Sequence, residues 1–157
     1  MLIKTKHFGE IDLDESKVIT FNNGILGFED FKRYTILYDS ESEERTPISW
    51  LQSLDEVALA LPVISPLLVN PDYNPTIKDA LVASLGELTE ENIIIFVTLT
   101  VPSDITKVTS NLKAPIIINT DTKKGCQVVA ENPEYEVKHN VYNSFMEYKK
   151  EKVESKC

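Results

Sequence analysis

Two cysteines, two histidines, five glycines and one tryptophan are spread over 157 residues, and each scarcity excludes a class of protein. Cys126 and Cys157 cannot form a disulfide framework, and such sparse usage fits a reducing compartment. Zinc needs clustered Cys and His ligands, whereas His7 and His139 lie far apart in the sequence and read as surface or sheet-face residues. The glycines, at positions 9, 24, 27, 86 and 125, spell neither GxGxxG nor a phosphate-binding loop, so no nucleotide cradle is indicated. Arg33 and Arg45 are the only arginines, too few for a clustered anion-sensing site. No run approaches the ~18 apolar residues of a membrane span, and residues 1–7 lack the apolar core of a signal peptide. The expectation is a soluble, cytoplasmic chain with no metal, no cofactor and no catalytic constellation.

Acid is what the chain has in excess. Asp and Glu number 25 against 16 Lys and Arg, for a formal net charge of −9. Such a field repels a phosphate backbone, so direct RNA or DNA binding is not expected. It favours encounter with a basic protein. The length suits one domain, which would bury roughly 68–70% of its unfolded surface.

The run Thr109-Ser110-Asn111-Leu112-Lys113-Ala114-Pro115-Ile116-Ile117-Ile118-Asn119 is the most informative stretch. Pro115 cannot donate to a sheet ladder and belongs at the start of a strand. Three isoleucines after it read as a strand buried on both faces or twisted through a small barrel. Further β-type runs are expected at 18–21, 34–38, 49–52, 57–63, 93–101, 126–129 and 135–141. Asn23-Gly24 suits a two-residue hairpin turn with positive φ at both positions, and 121–125 would close a longer hairpin between the 116 and 126 strands. Ile77, Leu81, Leu85 and Leu88 recur at helical spacing with Gly86 as terminator, and Val141, Phe145 and Tyr148 share a face near the end. The fold class expected is mostly β: a compact, antiparallel, barrel-like single domain over 1–142 with one or two short helices. Residues 143–157 form a helical or frayed tail.

Candidate chemistry is thin. Asp12, Asp14 and Glu15 lack the turn glycine and terminal glutamate of a calcium loop and read as a solvated hairpin corner. Ser53 and Ser110 read as turn-satisfying hydroxyls. Gly24-Ile25-Leu26-Gly27-Phe28-Glu29 is a tight turn with Phe28 packed inward or, alternatively, the rim of a peptide groove. Trp50 is a core aromatic or an interface anchor.

In chain order these segments resemble the flagellar assembly factor family, FliW. The likeness is carried by Phe8-Gly9-Glu10-Ile11, Ile19-Thr20-Phe21, the 24–29 turn, Leu51-Gln52-Ser53, Pro62-Val63, Pro71-Asp72-Tyr73, the 109–115 run, Asn119 and Gly125-Cys126-Gln127. It spans about residues 8–141, leaving the acidic loop at 40–44 and the tail beyond Val141 uncovered. The resemblance implies a mostly β, barrel-like bacterial cytoplasmic protein without enzymatic activity. It implies two alternative partners, flagellin and the translational regulator CsrA. Unsecreted flagellin holds the factor; export frees it to bind CsrA, which then releases flagellin messenger RNA. Flagellin contact is expected around Leu26, Phe28, Glu29, Asn111 and Leu112. Glu41, Glu43, Glu44, Asp55 and Glu56 are the acidic candidates for steering CsrA, with solubilisation as their bland alternative. The competing reading is a β-barrel enzyme or small-ligand binder whose pocket is assembled from distant residues.

Overall fold

The computed structural model describes residues 1–38 and 48–147. An N-terminal hairpin, β1 (Leu2–Lys4) with β2 (Glu10–Asp12), forms its own two-stranded sheet. The remaining strands are β3 (Ile19–Thr20), β4 (Arg33–Tyr38), β5 (Ser49–Ser53), β6 (Ala60–Ile64), β7 (Ile93–Thr100), β8 (Thr109–Ser110), β9 (Ile116–Asn119), β10 (Lys124–Gln127) and β11 (His139–Asn140). Neighbouring strands run β7-β6-β5-β4-β3-β10-β9, and β9 pairs back onto β7, so seven of these strands close a barrel. Closure covers most of the edge length that makes open sheets prone to aggregate. Among the described residues every pairing is antiparallel except the contact of β10 with β3, where Lys124 faces Thr20. β8 and β11 extend the wall beyond β7.

Alternation along β9 explains its isoleucines. Ile116 and Ile118 point into the barrel with Phe21, Tyr34, Leu51 and Val63. Ile117 points out, beneath Leu85 and Val128. All three are buried, and each such side chain contributes about 1.5–3 kcal/mol through removal from water. Gly125 of β10 is required by this packing, since a Cβ there would lie 2.6 Å from Phe21 Cζ. A third cluster, containing Tyr73, Val97, Leu112, Tyr135 and Val141, fills the end of the molecule beyond β8.

Several expectations change against this architecture. The Asn23-Gly24 pair is not a two-residue hairpin turn: Gly24 has φ of +66°, but Lys123 is the only non-glycine residue with positive φ among those described. The connection instead runs on to Lys32, whose carbonyl accepts from the Phe21 N–H at 2.7 Å. The 135–141 run pairs only at His139–Asn140, because Tyr135 turns inward to stack on Tyr73 at 4.6 Å. The β1–β2 hairpin and β8 were not expected; three- and two-residue strands carry too little periodicity to register. The 77–88 helix shrinks to α1 (Asp79–Val82) and one 3-10 turn, stopped by Gly86 at φ +86°. Of its apolar stripe only Leu85 is buried, and Leu81 remains exposed. Residues 142–147 are helical, as the spacing predicts.

Candidate functional site

The turn at 24–29 is held from both ends. Gly24 sits where a Cβ would come 2.5 Å from Glu29 Cα, so no other residue fits without moving the backbone. The Phe28 N–H donates to Ile25 O at 2.7 Å, closing the turn, and Ile25 drops into the barrel core. The Gly27 N–H donates to Glu29 Oε1 at 3.1 Å. Hydrogen bonds from the Glu29 and Gly27 backbone, with help from Lys32, hold the Glu29 carboxyl below its ordinary value. What this frame pushes outward is apolar: Leu26 is 53% exposed and Phe28 37%.

The second turn is built by Asn111. Its Oδ1 accepts from the N–H groups of Lys113 and Ala114, both at 3.1 Å, an asparagine turn that aims the chain into Pro115 and β9. Leu112 goes inward: it is 1% exposed, and its carbonyl accepts from the Tyr73 hydroxyl at 2.7 Å. Leu112 therefore packs the turn from within, whereas the half-buried Asn111 braces its backbone.

Gln127, on β10, joins the two turns. Its Oε1 accepts from the Leu26 N–H at 3.0 Å while its Nε2 donates to Ala114 O at 3.0 Å. One primary amide thus fixes segments about 90 residues apart in sequence, and two backbone groups that strands leave unpaired are satisfied. Val129, two residues along from Gln127, is 52% exposed. Gln127 belongs to the Gly125-Cys126-Gln127 segment of the family resemblance, but its reach to both turns carries no sequence signal; strand register brings it here.

The acidic candidates divide. Glu41, Glu43 and Glu44 lie outside the described residues. Asp55 is engaged: its carboxylate accepts from the Lys32 and Arg33 N–H groups and from Arg33 Nε and Nη2, the last at 2.8 Å. Partial burial works to raise its pKa, but the hydrogen bonds from Lys32 and Arg33 win and hold it below the ordinary value. Glu56 accepts from the Ala58 N–H at 3.2 Å. Ser53 Oγ accepts from the N–H groups of Asp55 and Glu56, the turn role its sequence suggests. Trp50 is half-buried, with the His7 ring lying 4.1 Å from its own.

The remaining reactive groups are quiet. Burial pushes the Cys126 thiol up to about 11, which keeps it protonated and a poor nucleophile. Asp14 caps a short turn by accepting from the Ser16 N–H. Among the described residues no three His, Cys, Asp or Glu side chains converge as a metal site, and no helix is long and apolar enough to cross a membrane.

Fold and surface together define a small closed β-barrel whose distinctive feature is an apolar turn presented on a rigid frame. The comparisons make the class specific. The family model described as FliW protein matches residues 2–141, and the chain belongs to that family of flagellar assembly factors. It is 62% identical to the flagellar assembly factor FliW of Lachnoclostridium phytofermentans over 157 residues, covering the whole of both chains. It is 51% identical to that of Lachnospira eligens, over 91% of this chain and 95% of the relative. A crystal structure of the flagellar assembly factor FliW superimposes with a TM-score of 0.80 at 33% identity, covering 90% of this chain and 96% of that one.

Proposed function

We propose that the protein works in the cytoplasm by binding flagellin and, once flagellin leaves it, binding and antagonising CsrA, so that flagellin messenger RNA is translated. It acts by binding alone, with no cofactor, small-molecule substrate or direct contact with RNA. The supporting observation is the rigid display of Leu26 and Phe28 by Gly24 and Gln127. An exposed apolar pair on a preorganised turn suits an amphipathic segment that is poorly ordered before assembly, because little of the protein's own freedom is lost on binding. The net charge of −9 supports the second partner: an acidic surface approaches a basic RNA-binding protein quickly and does not approach the message.

An exchange mechanism requires a coupling free energy between the two ligands, and that coupling is reciprocal. Titrating flagellin into a preformed complex with CsrA tests it. Flagellin should displace the regulator, and association with the regulator should slow as salt rises past a screening length of about 8 Å at physiological ionic strength. A stable ternary complex with both affinities unaltered would rule the mechanism out.

A further inference from the structure

The barrel wall has an opening between β6 and β7, and its cause is Pro66. β6 pairs with β7 through Val63 opposite Thr98 and Ile64 opposite Val97. Continuing that register would set Pro66 opposite Ile95, where a proline has no N–H to give. The chain instead enters a 3-10 turn over Pro66–Leu68 and leaves the sheet. Among the described residues, Ile93–Phe96 of β7 then pair on one side only, with β9.

The direction of the open groups follows from alternation. The Thr120 N–H donates to Asn92 O at 2.8 Å across the β9 side, so even-numbered residues here address β9 and odd-numbered ones the opposite edge. The Ile93 N–H folds back to Thr89 O at 3.2 Å. This leaves Ile93 C=O together with the N–H and C=O of Ile95 facing the gap. A depression of about 320 Å³ lies there, lined by Pro66, Leu67, Tyr73, Pro75, Ile93 and Ile95 among others. That is the lower end of the size range of ligand clefts, and Leu67 is 57% exposed at its wall.

Charge specifies the occupant. From Thr46 to Thr106 the sequence holds a single cation, Lys78, against eight Asp and Glu. Lys78 is itself 3.7 Å from Glu131. Asp72 beside Tyr73, and Glu90 and Glu91 just before Ile93, are all exposed. We propose that this opening receives an extended segment of alternating apolar and basic residues from a partner protein, added as a short strand on the free edge of β7. Main-chain hydrogen bonds to Ile93 and Ile95 provide affinity, the apolar floor selects every second side chain, and the acidic rim selects lysine or arginine between them. The proposal stands apart from the Leu26–Phe28 turn and holds whichever partner supplies the segment.

The test uses the full chain, isotope-labelled for amide NMR, and a capped peptide of three valine–lysine repeats. Saturable binding below about 1 mM is expected, with the Ile95 amide shifted and its hydrogen exchange slowed. N-methylation of alternate peptide amides should weaken binding by roughly tenfold or more, as should Leu67→Lys, which places a cation on the apolar wall. The double substitution Glu90→Lys with Glu91→Lys is an independent check on exposed residues that leaves the wall intact, and it should weaken binding most at low salt. Equal binding of a valine–glutamate peptide, shifts confined to another surface, no binding at 1 mM (about −4 kcal/mol), or a dimer whose Ile95 amide is protected without peptide would each overturn the proposal.

Discussion

The 24–29 turn and the Pro66 opening are both interruptions of the barrel wall, and they are finished in opposite ways. At the turn, side chains complete what the strands leave: Gln127 satisfies Leu26 and Ala114, and Asn111 satisfies Lys113 and Ala114. The N–H groups of Gly24, Leu26, Gly27 and Phe28 are all engaged there, and the apolar surface of Leu26 and Phe28 faces outward. At Pro66 no side chain takes over the ladder, and what remains outward is backbone. The first surface can recognise a partner only by shape and apolar contact, whereas the second can also recognise an extended main chain. Under the two proposals, such surfaces on one small barrel would give chemically different partners separate places to bind.

The largest effect should separate the buried from the displayed leucine. Leu112→Ala, deep in the cluster around Tyr73, should cost about 2–5 kcal/mol of stability, read as a lower denaturation midpoint in urea. Leu26→Ala combined with Phe28→Ala should leave that midpoint nearly unchanged. The double variant should instead weaken flagellin by about thirtyfold or more in calorimetry, the loss expected of a truncated anchor at ≥2 kcal/mol. Unchanged affinity would remove the turn from the contact surface.

Gln127→Ala breaks the tie without touching the apolar pair. Two hydrogen bonds at about 0.5–1.5 kcal/mol each predict a loss of roughly 1–3 kcal/mol. Hydrogen exchange at the Leu26 amide should quicken and flagellin affinity should fall in step with it. Should the exchange rate stay fixed, the turn holds its shape without Gln127. The smallest effect concerns acid. Asp55 has a folded-state pKa below its ordinary 3.8, so it contributes stability above that value and loses it as pH falls through the lower one. Asp55→Asn should therefore flatten the stability profile below about pH 4 while leaving neutral binding at the 24–29 turn intact.

Much of the fold was legible in residue order. The β-branched runs located β4, β5, β7 and β9 to within a residue or two, because half-buried strands demand such side chains. Pro115 located the start of β9, and Gly86 stopped the helix where expected. The 24–29 turn was legible as a feature, since two glycines around apolar residues leave few conformations. The inward turn of Leu112 was not, because a leucine after an asparagine turn faces whichever way the tertiary packing has room. Nor was the partnership of Asp55 with Arg33, which lie 22 residues apart and meet through strand pairing.

The sequence by itself determined the local events: where strands start and stop, where the backbone needs glycine or refuses proline, and that the surface is acidic. These depend on sterics and charge within a few residues. The closing of β9 onto β7, the reach of Gln127 to two turns at once and the open edge left at Pro66 were decided only by the tertiary structure. Each depends on register between distant strands, which a period-two pattern permits at any even shift and only the packed core selects.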